Sequence, residues 1–253
     1  MTTASSCFLL QRPVSQPRLR LFCFPYAGGN AFVYRSWGDQ LPSHVEVYSI
    51  QYPGRGSQLR QPALTRVSAM LDFLYEGIVP LLDKPFAFFG HSMGALLCFE
   101  LALRLRAQQS LVPMALFLSG RGAPQIKSDE PITYDLPEDE FISELRRLNG
   151  TPREVLEHPE LLQLMLPILR ADFELCQTYS FDSGAPVSCP LFVYGGLQDE
   201  EVPRENLEGW REQTTSAVTV RMFPGDHFFL HSAQSLLLRA LSSDLYQLTQ
   251  SSK

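Results

Sequence analysis

The chain has 253 residues, 45% hydrophobic and 19% charged, enough apolar material to bury a large core and too much for a disordered protein. Its net charge of −6, with no run of Lys or Arg, argues against a nucleic-acid partner. No stretch of eighteen apolar residues occurs, so no membrane span is expected. The N-terminal residues are polar and broken by Pro13 and Pro17, unlike a signal peptide, which makes the cytoplasm the expected location.

Six segments, at 19–24, 45–50, 86–89, 114–119, 191–194 and 218–223, read as buried strands, and residues 7–10 read as a short antiparallel edge strand. Between them lie helical patterns at 64–82, 93–106, 207–212 and 233–248. This alternation implies an α/β fold, with a mostly parallel sheet covered by helices on both faces and a site at the carboxyl ends of the strands. Residues 1–253 are expected to form a single domain. The five cysteines are odd in number and widely spaced, Cys23 and Cys98 fall inside apolar runs, and no C-x-x-C or His-rich cluster occurs. Reduced thiols and no metal are expected.

One connection is too long. Roughly seventy residues separate Gly120 from Pro190, where a parallel crossover needs about a dozen. Within this insertion, 121–189, residues 137–148 look helical. Thr151-Pro152-Arg153-Glu154 has the form of a capping box with Pro at the first helical position. Pro159 opens a third helix running to about residue 179, which Pro167 should kink. That helix is apolar on more than one face, through Leu161, Leu162, Leu164, Met165, Leu166, Ile168, Leu169, Phe173 and Leu175, whereas a surface helix shows one stripe. It either fills a small core of its own or forms a lid over an acyl-binding cavity.

Gly90-His91-Ser92-Met93-Gly94 falls between the strand at 86–89 and the helix from 93. The pattern alone arises by chance in roughly one chain in ten of this length. Its strand-to-helix setting makes it a nucleophile elbow, in which a strained turn exposes the Ser92 hydroxyl beside a helix N-terminus. A serine needs a base and an orienting acid, in the chain order Ser, acid, His for this fold. Of the five histidines, His91 lies in the elbow, His44 precedes a strand, His158 precedes Pro159 and His231 follows an apolar run; His227, just past the last strand among turn residues, is the expected base. The acid is expected after the preceding strand, where Asp199 has the shorter side chain, Glu200 and Glu201 read as solvated charges, and Asp226 reads as ordering the His227 loop. Asp199 is the choice, to fix the imidazole tautomer and stabilise the imidazolium. The oxyanion hole takes one N–H from Met93 and one from the loop Phe24-Pro25-Tyr26-Ala27-Gly28-Gly29-Asn30, with Ala27 the preferred donor and Tyr26 the alternative. That loop lacks both phosphate-loop patterns.

Seven segments occur in order: Leu21-Phe22-Cys23-Phe24-Pro25-Tyr26-Ala27-Gly28-Gly29, Tyr52-Pro53-Gly54-Arg55-Gly56, Phe88-Phe89-Gly90-His91-Ser92-Met93-Gly94, Leu118-Ser119-Gly120-Arg121, Leu148-Asn149-Gly150-Thr151-Pro152, Leu166-Pro167-Ile168-Leu169-Arg170-Ala171-Asp172 and Gly225-Asp226-His227-Phe228. Together they resemble the type II (stand-alone) thioesterases of nonribosomal peptide and polyketide synthesis, a family that includes the vertebrate medium-chain thioesterase of fatty acid synthesis. Asn149 stands where that family usually has Gly, which bears on lid geometry. The resemblance covers nearly the whole chain and implies an α/β-hydrolase fold, a monomer, and hydrolysis of acyl thioesters on the phosphopantetheine arm of carrier proteins, with no cofactor of the enzyme's own. Editing of aberrant acyl groups is the leading expectation; medium-chain release and carrier-independent ester hydrolysis are the alternatives. Docking of an acidic carrier would need a basic patch, for which Arg146, Arg147, Arg153 and Arg170 are the candidates.

Overall fold

The computed structural model describes residues 7–126 and 131–250, with Arg153 described by its backbone alone. In chain order it holds β1 (Phe8–Leu10), β2 (Leu19–Phe24), α1 (Trp37–Gln40), β3 (Val45–Ile50), α2 (Val67–Ile78), β4 (Phe86–His91), α3 (Met93–Gln109) and β5 (Leu116–Ser119). Then follow α4 (Glu138–Leu148), α5 (Arg153–Glu157), α6 (Pro159–Gln177), β6 (Leu191–Gly196), α7 (Arg204–Glu208), β7 (Val218–Phe223), α8 (Phe229–Ser232) and α9 (Gln234–Gln250). The strands form one sheet in the order β1-β3-β2-β4-β5-β6-β7. β1 runs antiparallel to β3, as expected of an edge strand, and the other pairs are parallel.

Every residue of β3 and β4 is buried, because helices cover both faces of the sheet and both alternating sets of side chains enter a core. Phe22, Phe24 and Phe88 pack with Leu97 and Leu101 on one face. Leu21, Cys23 and Phe89 pack with Leu237 and Leu241 on the other. Each such apolar side chain removed from water contributes about 1.5–3 kcal/mol, so segments rich in apolar residues suit these central strands.

Several boundaries differ from the sequence expectation for local reasons. β6 continues through Gly195 and Gly196, where a Cβ on Gly196 would lie 2.4 Å from the Asp226 carbonyl oxygen; glycine lets the loop after β7 cross the strand end. The pattern at 64–82 gives α2 and then a 3-10 turn (Val79–Leu81), since Pro80 has no N–H to continue an α-helix. The helix expected at 207–212 begins earlier, as α7, and finishes as a 3-10 turn (Gly209–Gln213).

The insertion between β5 and β6 holds α4, α5 and α6. No capping box forms at α5: Pro152, extended at φ −53° and ψ 138°, occupies the N-cap itself without a side-chain bond, so the helix starts one residue later than expected. In α6 the apolar residues divide. Leu162, Leu166 and Leu169 close a small core with Phe141, Ile142 and Leu145 of α4, while Leu175 enters the main core. Leu169, Phe173 and Cys176 also line a cavity above the sheet, so the helix fills a core of its own and walls a chamber as well. Among the described residues no helix is long and apolar enough to cross a membrane.

Candidate active site

β2 leads to β3 on one side and its neighbour β4 leads to β5 on the other, so the connections from these two strands diverge and open a crevice at their carboxyl ends. Phe24 is in register with Gly90, so the loop after β2 and Ser92 after β4 emerge side by side. Ser92 has φ 54° and ψ −114°, a strained conformation for a residue with a Cβ, and its N–H donates to the Ser119 carbonyl at 2.8 Å. A Cβ on Gly90 would lie 2.2 Å from the Gly94 carbonyl oxygen, and one on Gly94 2.0 Å from that of Phe24. The two glycines thus allow the sharp turn and seat the first turn of α3 against the end of β2.

Asp199 follows β6 and His227 follows β7. The loops that carry them are laced together by Leu197 N–H to Phe223 C=O (2.8 Å), Gln198 N–H to Gly225 C=O (3.0 Å) and Gly225 N–H to Gln198 Oε1 (2.6 Å). Asp199 Oδ2 lies 2.9 Å from His227 Nδ1, and its Oδ1 accepts the N–H groups of Glu201 (3.0 Å) and Val202 (3.1 Å). The Asp199 carboxylate is fully buried and the His227 ring is 12% exposed. Burial pushes the His227 pKa down, but the hydrogen bond and charge of Asp199 outweigh it, and the pKa stands above the usual imidazole range.

The other candidates occupy different roles. His91 is fully buried with Nδ1 2.9 Å from Ser119 Oγ, and burial holds its pKa well below the usual value, so it packs as a neutral ring. His231 contacts the Tyr26 hydroxyl at 2.9 Å, and His44 lies beside Thr249. Asp226 accepts from Phe228 N–H (2.9 Å) and from Asn149 Nδ2 (3.2 Å), ordering its loop and touching the insertion. Glu201 departs from the expected solvated role: the turn around Asp199 carries it under the insertion, where it lines the cavity 3.8 Å from Arg147.

The loop after β2 turns sharply, Gly29 N–H donating to the Tyr26 carbonyl (2.9 Å), with Gly28 at φ 76° in the place a type II turn reserves for glycine. The Tyr34 hydroxyl donates to the Phe24 carbonyl (2.8 Å) and the Tyr52 hydroxyl to that of Pro25 (3.1 Å), so the loop's carbonyls are engaged on the side of the core. Met93 opens α3, and the first amides of a helix have no intrahelical partner. Ala27, Ser92 and His227 line one cavity of about 640 Å³, with Tyr26 and Phe228 beside them and Leu145, Leu148, Leu169 and Phe173 as its wall from the insertion.

A buried ion pair was not foreseen from the sequence. Arg55 holds Asp172 of α6 through two bonds of 2.6 Å, and Asp172 Oδ2 also accepts the Gly28 N–H at 2.7 Å. The available signal was Asp172 on a helix apolar on several sides, where Glu160 and Glu174 are the other acids. Among the basic candidates, Arg170 is spent inside the insertion, over the Phe141 ring at 4.5 Å and donating to the Tyr134 carbonyl (2.6 Å). Arg147 pairs with Glu144 (2.7 Å), Arg146 is exposed, and the Arg153 side chain lies outside the described residues.

The sequence pattern of the family described as "Thioesterase domain" matches residues 19–245. The chain belongs to the thioesterase family. The gramicidin S biosynthesis protein GrsT of Aneurinibacillus migulanus is 44% identical over 91% of this chain and 90% of its own length. LgrE of Brevibacillus parabrevis, named a linear gramicidin dehydrogenase, is 43% identical over 95% of this chain and 93% of its own. The thioesterase chain itself contains no G-x-G-x-x-G dinucleotide fingerprint. Among solved structures, the type II thioesterase BorB from the borrelidin biosynthetic cluster superposes with a TM-score of 0.87 at 30% identity, over 96% of this chain and 99% of BorB. The fold is that of the α/β-hydrolases, and the enzyme is a thioester hydrolase related to the type II thioesterases of nonribosomal peptide and polyketide pathways.

Proposed function

We propose that this thioesterase removes acyl groups from the phosphopantetheine arm of carrier proteins in a nonribosomal peptide or polyketide system, through an acyl-enzyme on Ser92. The Asp199–His227 pair at 2.9 Å, with His227 lining the same cavity as Ser92 beside the insertion, is the observation that carries the reading. His227 accepts the Ser92 proton as the serine oxygen attacks the thioester carbonyl, and the Ala27 and Met93 amides receive the oxygen as its charge develops. When the tetrahedral intermediate collapses, the C–S bond breaks and His227 protonates the departing thiol. Water, deprotonated by His227, then attacks the acyl-enzyme and releases a carboxylic acid and the Ser92 hydroxyl. Nucleophile, base, acid and oxyanion donors all come from the chain, so the chemistry asks for no metal and no cofactor beyond the arm that delivers the acyl group.

The test is hydrolysis of acyl-carrier thioesters of graded chain length. Preference for short or aberrant acyl units is expected for editing, and a sharp optimum at medium chains would assign product release instead. Ser92→Ala should lower kcat by on the order of 10³-fold or more, as loss of a serine nucleophile does, without loss of the folded state. Undiminished turnover in that variant would overturn the acyl-enzyme mechanism.

A further inference from the structure

We infer that Asp172, held by Arg55, is a positioning residue for the oxyanion hole, so that the seating of lid helix α6 and the shape of the oxyanion turn are a single structural event. The contacts converge on one turn. Asp172 Oδ2 accepts the Gly28 N–H (2.7 Å), and Arg55 Nη1 donates both to that same oxygen (2.6 Å) and to the Gly29 carbonyl (3.1 Å). Arg55 Nη2 completes the fork on Asp172 Oδ1 at 2.6 Å. Leu169, one helical turn before Asp172, rests on the same glycine, its Cδ2 only 2.6 Å from where a Gly28 Cβ would stand. The peptide groups that follow Ala27 are therefore gripped from the lid, while Ala27 itself lines the cavity with Ser92.

The ion pair is a costly way to hold a helix down. The Asp172 side chain is 0% exposed and that of Arg55 4%, and a buried pair of this kind is often no more stabilising than apolar side chains of the same volume. An apolar pair, however, could not fix the direction of the Gly28 N–H. A bidentate fork can, since it sets both the position and the plane of the carboxylate. Oxyanion stabilisation depends on donors placed before the reaction, and a displacement of about 1 Å can cost on the order of 10²-fold. Tyr52 reinforces the same turn: its ring lies under the Arg55 guanidinium (5.5 Å) while its hydroxyl holds the Pro25 carbonyl.

This inference rests on Ser92 as nucleophile and the Ala27 amide as oxyanion donor, and its test separates the two. Asp172→Asn is assayed on an acyl-pantetheine thioester. Its affinity is measured for an acyl trifluoromethyl ketone, which adds the serine oxygen to its carbonyl carbon and leaves an oxyanion, and for a thioether lacking the carbonyl. Expected are a fall in kcat of at least about tenfold, KM within about twofold, ketone affinity reduced by the same factor as kcat/KM, and thioether affinity unchanged. A lower melting temperature with kcat per folded molecule and ketone affinity intact would make the pair merely structural and overturn the inference. Should Asp172→Asn not fold, Arg55→Lys keeps the charge but loses the fork, and the same parallel loss of kcat and ketone affinity is required of it. Activity that survives Ser92→Ala overturns the reading beneath; activity that needs Ser92 but ignores both substitutions overturns only the positioning role.

Discussion

At the scale of single residues, the imidazole of His227 is subject to opposing influences. Burial favours its neutral form, and Asp199, bonded at 2.9 Å, favours the cation and prevails, leaving the pKa above the usual value of 6.5. A general base works only when neutral, so kcat/KM should rise with pH through this raised pKa and level off above it. Asp199→Asn removes the raising influences of that carboxylate and leaves burial in place, so the acid limb should move to lower pH while kcat falls by roughly 10³- to 10⁴-fold. A pH–rate profile of both proteins checks the shift, and an unmoved limb in the variant would mean that another group sets it. The places of Ser92, Asp199 and His227 could be read from the order of elements, an elbow, the end of the next-to-last strand and the end of the last, and the structure sets Asp199 against His227 on the cavity that Ser92 lines. Arg55 and Asp172 could not be so read, although both lay in motifs noticed for other reasons. They are 117 residues apart, and a charged side chain in a one-dimensional pattern reads as solvated until a partner across the fold is seen. Glu201 was misread for the same reason, since only the turn at Asp199 reveals that it faces inward.

At the scale of elements, the site is a product of close backbone approach at the strand ends. The limits of β2, β3 and β7 were readable from segments rich in apolar residues that stop at Pro25, Gln51 and Pro224. The ends of β6 and α2 escaped the pattern, being decided by Gly196 under the Asp226 carbonyl and by the missing N–H of Pro80. Gly94 is the tightest of these contacts, and its neighbours there are backbone atoms of the oxyanion loop, which cannot rotate aside. Gly94→Ala should therefore destabilise the fold by about 2–3 kcal/mol, as overpacking does, and lower Tm by roughly 4–12 °C for a domain of this size. It should also lower kcat, since relief of the clash moves the start of α3 away from the loop after β2. Gly184→Ala is the control, its nearest heavy atom being 4.0 Å away, and scanning calorimetry should find it close to the unsubstituted chain. Equal Tm values for the two variants would show that the elbow relaxes more easily than this geometry allows.

At the scale of the whole molecule, the insertion is fastened unevenly. Its length betrayed it in the sequence, and its third helix both closes a small core and walls the cavity, but the way it is attached depends on contacts no local pattern carries. α6 is tied into the body by the buried Arg55–Asp172 pair and by Leu175 in the main core. α4 reaches the body through exposed groups: Asn149, left-handed at φ 55°, donates to Asp226 across 3.2 Å, and Arg147 stands 3.8 Å from Glu201. Gly150 abuts the tip of the Phe228 ring, where a Cβ would come within 2.4 Å of Cζ. Contacts of this kind contribute at most about 1 kcal/mol each, whereas separating a buried pair costs about 3–5 kcal/mol, so α4, held otherwise by the small core it shares with α6, should part from the body before α6 does. Native-state hydrogen exchange reads this directly. The amides of α4 and α5 should exchange through a partial opening well below the global unfolding free energy, those of α6 from Asp172 onward should be better protected, and those of β4 and α3 should exchange only by global unfolding. A covalent ketone adduct on Ser92, filling the chamber that α4 walls with Leu145 and Leu148, should slow the first group most, because an opening that exposes the acyl chain to water then costs its burial as well. Uniform protection across α4, α6 and α3 would mean that the lid does not open as a unit, and the acyl group would then have to enter through the mouth of the cavity as it stands.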